Sequence, residues 1–280
     1  MFGRSHAPAA LVAPASLYVA AAFLLPVAIL IAGTILPGGK LSAAGYVRFF
    51  ADPLSLEVVW RTVRIGIVVT IVCIVLGYAM ALAIVDAGTK ARGQLIGLTI
   101  LPLMISPVAR TYAWVVILGR VGLFNNLIVG LGLTQQPFRL LFSEGAVYVG
   151  LVQLFLPIMV LPLVSALENL PADVVAAART LGADWFTVFR RLLLPLTREG
   201  LVIGGTLVFN GAVTAYVTPA VLGGTRNLSL ATLLYQQVAV TDDLLAAGVV
   251  ATILIAMSVT ASVLLRRVST SRDRALTRAR

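Results

Sequence analysis

Residues 168–198 read ENLPADVVAAARTLGADWFTVFRRLLLPLTR, and this stretch decides how the rest of the chain is read. Its first half predicts a helix. Asn169 is placed to cap it, and Pro171 and Asp173 fall in its first turn. There a missing N–H costs nothing and a carboxylate meets the positive end of the helix. Ala176, Ala177 and Ala178 give the helix a face of little bulk. Gly182 is expected to end it in a left-handed cap. Asp184 is placed to cap a second helix, which carries Trp185, Phe186, Phe189 and the basic pair Arg190–Arg191. Pro195 stands where the chain turns back into apolar sequence. A small-residue helix lets another backbone come close, and the aromatics supply anchors for a partner's cleft. The same composition also fits an ordinary interfacial hairpin between two membrane spans.

On both sides of this hairpin the sequence is strongly apolar. Of 280 residues, 60% are hydrophobic and 11% charged. The charges are bunched, leaving apolar runs of about 20 residues or more, each able to cross a ~30 Å hydrocarbon core as a helix. Six spans are expected, roughly at 11–36, 60–85, 95–119, 145–167, 199–221 and 244–265. The chain thus reads as an all-α integral membrane protein. A single transmembrane domain takes in residues 1–280, with 168–198 as a loop and 266–280 as a basic tail. Arg4 followed by Leu11–Leu36 resembles the start of a signal peptide, but the apolar stretch is too long for one and is read as a retained first span.

The basic residues set an orientation. With both termini cytoplasmic, the inner set is Arg4, Lys90, Arg92, Arg179, Arg190, Arg191, Arg198 and six tail arginines: Arg266, Arg267, Arg272, Arg274, Arg278 and Arg280. The outer set is smaller: Lys40, Arg48, Arg61, Arg64, Arg110, Arg120, Arg139 and Arg226. Basic residues concentrate on the cytoplasmic side of membrane proteins. The net charge of +10 therefore points to topology and to anionic lipid headgroups rather than to nucleic acid. Residues 37–59 read as a turn-rich outer loop before an amphipathic stretch. Residues 120–143 are too polar and Gly-rich for a clean span, and read as a surface-lying or partly re-entrant helix.

Chemistry is sparse. The single cysteine, Cys73, lies in an apolar run and reads as a small packed hydrophobe. The single histidine, His6, lies in the N-terminal tail. Neither supports a metal centre or acid–base pair, and no cofactor is expected in this chain. No nucleophile–base set occurs within the spans, so the chain is not expected to be an enzyme. No internal repeat is evident, which argues mildly against a secondary transporter.

The 168–198 stretch resembles the EAA loop of ABC importer permeases, with its pattern E-A-A-x3-G-x9-I-x-L-P. Ala177 and Ala178 match the alanines and Gly182 the glycine. Leu192 replaces the isoleucine, and Leu194 and Pro195 match the end. The pattern's glutamate falls on Ala176, so the acidic contact it implies with an ATPase is absent or supplied by Asp173, one turn earlier. Residues 102–133 resemble the spermidine/putrescine branch of these permeases through Arg110, Tyr112, Trp114, Leu118, Gly119, Gly122 and Asn126. Pro219, Gly223 and Gly224 extend the likeness. The resemblance implies the six-span type I (MetI-like) permease fold in the bacterial inner membrane. It makes Asp173, Ala177, Ala178, Gly182, Asp184, Phe189 and Pro195 a coupling loop for a cytoplasmic ATPase dimer.

The implied machine pairs this chain, as a heterodimer, with a second homologous permease subunit and a periplasmic solute-binding protein. ATP and Mg are expected in the partner ATPase, since this chain has no G-x-x-x-x-G-K-[ST] loop. Candidate pathway residues are Arg110, Tyr112, Trp114, Asn210, Thr214 and Tyr216. Arg110, an ionisable group inside a span, is either a contact for a solute carboxylate or a structural group satisfied by carbonyls freed near Pro102 and Pro107. Gly200, Gly204, Gly211 and Ala215 form a small-residue stripe that either packs or flanks a cavity. The spans hold no acid well inside them. A neutral or weakly basic pathway suits an anionic, zwitterionic, opine-like or amino-acid-derived solute more easily than a polyamine. A stand-alone secondary transporter or channel is the alternative class.

Overall fold

The computed structural model describes residues 7–277. The basic-tail residues Arg278 and Arg280, and Arg4 and His6, lie outside the described residues. Among those described, every regular element is helical. The main ones, in chain order, are α1 (Ala7–Ile35), α2 (Ala44–Ala51), α3 (Pro53–Asp86), α4 (Thr89–Ile100), α5 (Pro107–Leu118), α6 (Leu123–Gly130) and α7 (Glu144–Glu168). Then come α8 (Ala172–Thr180), α9 (Trp185–Val188), a π-helical turn (Phe189–Leu193), α10 (Leu194–Leu196), α11 (Arg198–Thr214), α12 (Leu230–Ala239) and α13 (Leu244–Thr277).

Five stretches are long and apolar enough to cross a membrane: Pro14–Ile35, Pro53–Asp86, Pro107–Gly130, Glu144–Glu168 and Leu244–Arg267. A sixth arises if Trp185–Leu196 and Arg198–Thr214, bent by 69°, count as one. Four of the expected spans are found close to their predicted places. The third differs. Instead of one helix over 95–119, α4 stops after 12 residues, a 3₁₀ turn at Leu101–Met104 contains Pro102, and Pro107 opens α5. Two prolines this close remove backbone donors and break the helix. Twelve residues rise only ~18 Å, too little for a crossing. The apolar crossing moves to Pro107–Gly130, taking in part of the segment expected to lie on the surface. The fifth also ends early, at Thr214, where Ala215 turns extended (ψ 129).

The chain forms two compact units. In the first, which runs to Leu56 and includes Leu233–Ile253, Gly45 of α2 faces Val249 and Leu245, and Gly248 faces Thr34. The Thr34 hydroxyl shares a 2.7 Å hydrogen bond with the Tyr46 hydroxyl. Leu17, Tyr18, Phe23 and Ile29 of α1 are exposed, as suits a helix surrounded by lipid.

The second unit runs from Glu57 to Thr232 and includes the chain from Leu254. Its centre is α7, whose Val147, Leu151, Met159, Val160 and Leu163 are wholly buried. The glycines of α11 lie against it. A Cβ on Gly200 would come within 2.7 Å of the Pro162 carbonyl oxygen, and one on Gly204 within 2.8 Å of the Met159 sulfur. Packing is thus the role these glycines serve. Helices in lipid associate by close van der Waals fit, which small residues permit.

Candidate functional site

The 168–198 segment folds as two short helices at the end of α7. Gly182 has φ +82°, the left-handed conformation. Its N–H donates to the Arg179 carbonyl (2.9 Å) and that of Ala183 to the Ala178 carbonyl (3.1 Å). These are the paired bonds that close a helix C-terminus. Asp184 then caps α9, its carboxylate accepting from the N–H groups of Phe186 (3.1 Å) and Thr187 (3.3 Å). Hydrogen bonding, led by the Thr187 side chain and joined by these backbone donors, holds the Asp184 carboxyl below its ordinary pKa. Asn169 does not cap α8. It closes α7 instead, its side-chain amide donating to the Ser165 carbonyl at 2.8 Å. Pro171, extended at ψ 128, takes the N-cap position without a side-chain bond. Asp173 lies in the first turn of α8.

The two faces of this arm differ. Asp173, Ala176, Ala177 and Thr180 are exposed, at helical spacing, and Leu181, Trp185 and Phe186 are exposed beyond them. Val175 and Ala178 pack inward, and Val188 and Leu193 are buried. Phe189, expected among the outward anchors, turns inward. Its ring meets that of Tyr78 on α3 edge-on, with centroids 5.1 Å apart. The Tyr78 hydroxyl bonds Thr197 Oγ1 at 2.7 Å, and Thr197 Oγ1 donates in turn to the Leu193 carbonyl at 2.8 Å. Tyr78 is therefore the donor in its bond, and α3 grips the arm through one residue. Pro195 is exposed on α10.

A further clasp lies at the arm's base. Arg92 Nη1 donates to Glu168 Oε1 (3.0 Å) and Nη2 to the Val85 carbonyl (2.5 Å), tying the ends of α3 and α7 together. At the other end of α7, Glu144 accepts from Arg61 Nε (3.1 Å), from Arg64 and from the Tyr148 hydroxyl (3.0 Å). Arg61 also donates to the carbonyls of Arg226 (3.2 Å) and Leu228 (3.3 Å). Sequence reasoning had these arginines only as topological charge. Their partners on α7 lie about eighty residues away and leave no local trace; the Glu57–Arg61 pair, one helical turn apart, is the local one.

The candidate pathway residues are dispersed. Arg110 is buried, its Nη1 donating 2.7 Å to the carbonyl of Pro102. Trp114 Nε1 points to Gln153 Oε1 (3.5 Å), and both line an apolar cavity of about 750 Å³ walled by α3, α4, α5 and α7. Tyr112 is exposed. Asn210 turns to α13, donating to Ser262 Oγ at 2.8 Å. Thr214 is exposed and bonds its own helix at the Asn210 carbonyl. Tyr216 is half-buried beyond the break in α11. Thr111 and Thr218 share a 3.2 Å bond that joins α5 to the 217–223 segment. Asn125 was missed. It is buried, bonding the carbonyls of Gly119 and Phe138 and the Phe138 N–H, and so braces the irregular backbone around α6. Cys73 is buried. Among the described residues no group of three or more His, Cys, Asp or Glu is placed to hold a metal ion.

Membrane-crossing helices packed around α7, with a helical arm carried at its end, are the build of a transporter permease. Residues 73–272 match the family model described as "Binding-protein-dependent transport system inner membrane component". The chain belongs to that family, a component of the inner membrane. It is 37% identical over 188 residues to the spermidine/putrescine transport system permease protein PotB of Haemophilus influenzae, covering 67% of this chain and 65% of that protein. It is 35% identical over 177 residues to PotB of Escherichia coli, covering 63% and 64%. The chain thus spans somewhat under two thirds of the length of these relatives. The molybdenum permease ModB of Mycobacterium bovis is 31% identical over 186 residues, covering 64% and 67%.

Among solved structures, a chain of a bacterial alginate ABC transporter in complex with its alginate-bound periplasmic protein superposes with a TM-score of 0.80. It is 14% identical and covers 95% of both chains. A chain of the MetNI methionine ABC transporter gives 0.57 at 19% identity, covering 76% of this chain and 93% of that one. The fold is that of ABC importer permeases.

Proposed function

We propose that this chain is the permease subunit of an ATP-driven, binding-protein-dependent importer of a small polar organic solute, and that residues 168–198 are where a cytoplasmic ATPase dimer grips it. The observation that carries this reading is the two-sided arm. Its outer face offers Asp173, Ala177, Trp185 and Phe186 to a partner, while Phe189 passes any displacement to Tyr78 on α3. Asp173 shares the exposed face with Ala176 and is the acid available where the EAA pattern has its glutamate. Both termini lie in the cytoplasm, ATP and Mg belong to the ATPase, and a second permease subunit completes the pathway. A periplasmic binding protein delivers the solute.

Polyamines are the first solutes to test. The relatives named above support this, and Arg110 offers little obstacle to a cation because its guanidinium is buried against the Pro102 carbonyl. An opine-like or amino-acid-derived solute is the second class. The test is reconstitution of this chain with its second permease subunit, ATPase and binding protein in proteoliposomes, followed by uptake of labelled spermidine. Uptake should need ATP and the binding protein, and Ala177→Lys should abolish both uptake and ATPase capture. ATP-independent uptake by this chain alone would overturn the reading.

A further inference from the structure

The elbow between the arm and α11 carries three guanidinium groups. Arg190 and Arg191, on the π-helical turn, and Arg198, at the start of α11, line a cavity of about 780 Å³ together with Leu194, Pro195 and Leu201. No carboxylate lines it. Arg190 and Arg191 are exposed and Arg198 is half-buried. Among the described residues, none of the three guanidinium groups has an ion-pair or hydrogen-bond partner. This sets them apart from Arg61, Arg64, Arg92 and Arg110, each of which has a partner within the fold.

Geometry puts the elbow at the membrane surface. Trp185–Leu196 and Arg198–Thr214 meet at 69°. With α11 crossing the bilayer, the arm's second helix runs close to the membrane plane, and the cavity lies at headgroup depth. A lining of three guanidinium groups beside three apolar side chains matches a phosphodiester joined to acyl chains. Guanidinium forks phosphate oxygens in paired, charge-assisted bonds. Leu194, Pro195 and Leu201 offer the surface that the first acyl carbons need. A zwitterionic headgroup brings its own cation toward three arginines, and a free phosphate leaves the apolar side chains of the lining unused.

We infer that this elbow is a binding site for the headgroup of an anionic phospholipid, which thereby touches the arm at its junction with the membrane. The inference goes beyond the import reading, and its readout is binding rather than transport. The experiment is native mass spectrometry of the full chain in detergent, titrated separately with phosphatidylglycerol, phosphatidylcholine and inorganic phosphate. Phosphatidylglycerol should bind at least about ten-fold more tightly than phosphatidylcholine. Each arginine lost should weaken it roughly five-fold, so the triple variant R190Q/R191Q/R198Q should lose on the order of a hundred-fold. The tail variant R266Q/R267Q should keep the preference. Single R190Q carries the test if the triple variant does not fold.

Equal binding of the two lipids overturns the inference, as does unchanged binding in R190Q and in the triple variant. Full displacement by millimolar phosphate makes it a free-phosphate site and also overturns it. Loss of ATPase capture in the triple variant, with lipid affinity intact, assigns the arginines to the protein partner instead.

Discussion

At Gly182 one backbone angle sets the shape of the arm. Its φ of +82° is a conformation in which a Cβ is costly, yet a Cβ there would meet nothing within 4 Å. The penalty for replacing it is therefore conformational, about 1–2 kcal/mol. Gly182→Val should lower ATP-dependent uptake several-fold in reconstituted vesicles without reducing the amount inserted. Gly182→Asn, better tolerated in that region, should fall between Val and wild type. Equal activity of Val and Asn would count against a left-handed requirement.

Two residues on, Asp184 sets a pH dependence. Its folded pKa is lowered by the Thr187 and Phe186 bonds, so its cap is fully formed above the ordinary carboxylate pKa. The cap is lost only as pH falls through the lower folded value. Limited proteolysis of the arm should be flat from neutral pH down to the ordinary aspartate range and rise below it. In Asp184→Asn that acid-dependent rise should disappear.

Among elements, the contact of α11 with α7 depends on backbone approach. Gly200 faces the carbonyl oxygen of Pro162, a backbone atom with no rotamer to yield. Gly97, by contrast, has nothing within 4 Å of where its Cβ would be. Gly200→Ala should lower the thermal midpoint of the detergent-solubilised protein by several degrees, and Gly97→Ala should leave it in place. An equal lowering by both would mean that the close approach at Pro162 is not what makes Gly200→Ala costly, since helix propensity alone favours Ala over Gly.

The glycine stripe was legible because it repeats within one helix. So were Gly182 and Asp184, whose partners lie within five residues. The third crossing was displaced because apolar run length speaks before proline does. Pro102 and Pro107 lie within the expected span, and their effect is to cut it. Asn169 was assigned to the wrong helix because an Asn can end one helix as readily as begin the next. The inward turn of Phe189 had no local signal, since Tyr78 is more than a hundred residues away and the π-helical turn that aims it is set by packing. The bond of Arg110 to the Pro102 carbonyl is one of the two readings the sequence offered, whereas the turning of Trp114 and Asn210 toward separate partners had no signal in composition.

At the scale of the whole molecule, ion pairs hold the two ends of one helix. Glu144 is the first residue of α7 and Glu168 the last. The first is held by Arg61, Arg64 and Tyr148, the second by Arg92. Glu144→Gln keeps the size but weakens three charge-assisted bonds. Bonds to charged groups contribute ~1.5–3 kcal/mol each when well made, and partial exposure reduces that. A lowering of the thermal midpoint by about 2–4 °C per kcal/mol lost is expected by scanning calorimetry. Glu168→Gln, with a single partner and more exposure, should shift it less. The reverse order would mean that the Arg92 clasp is the stronger of the two.

A rod of 25 residues fastened at both tips has few freedoms left. Relative to α3 it cannot slide like a piston without breaking one fastening or the other. It can roll about its own long axis, because long arginine side chains flex through small rotations. Under the proposed coupling role, a stroke delivered by the arm at Glu168 would be passed on as torsion, turning residues such as Gln153 sideways at constant depth in the bilayer.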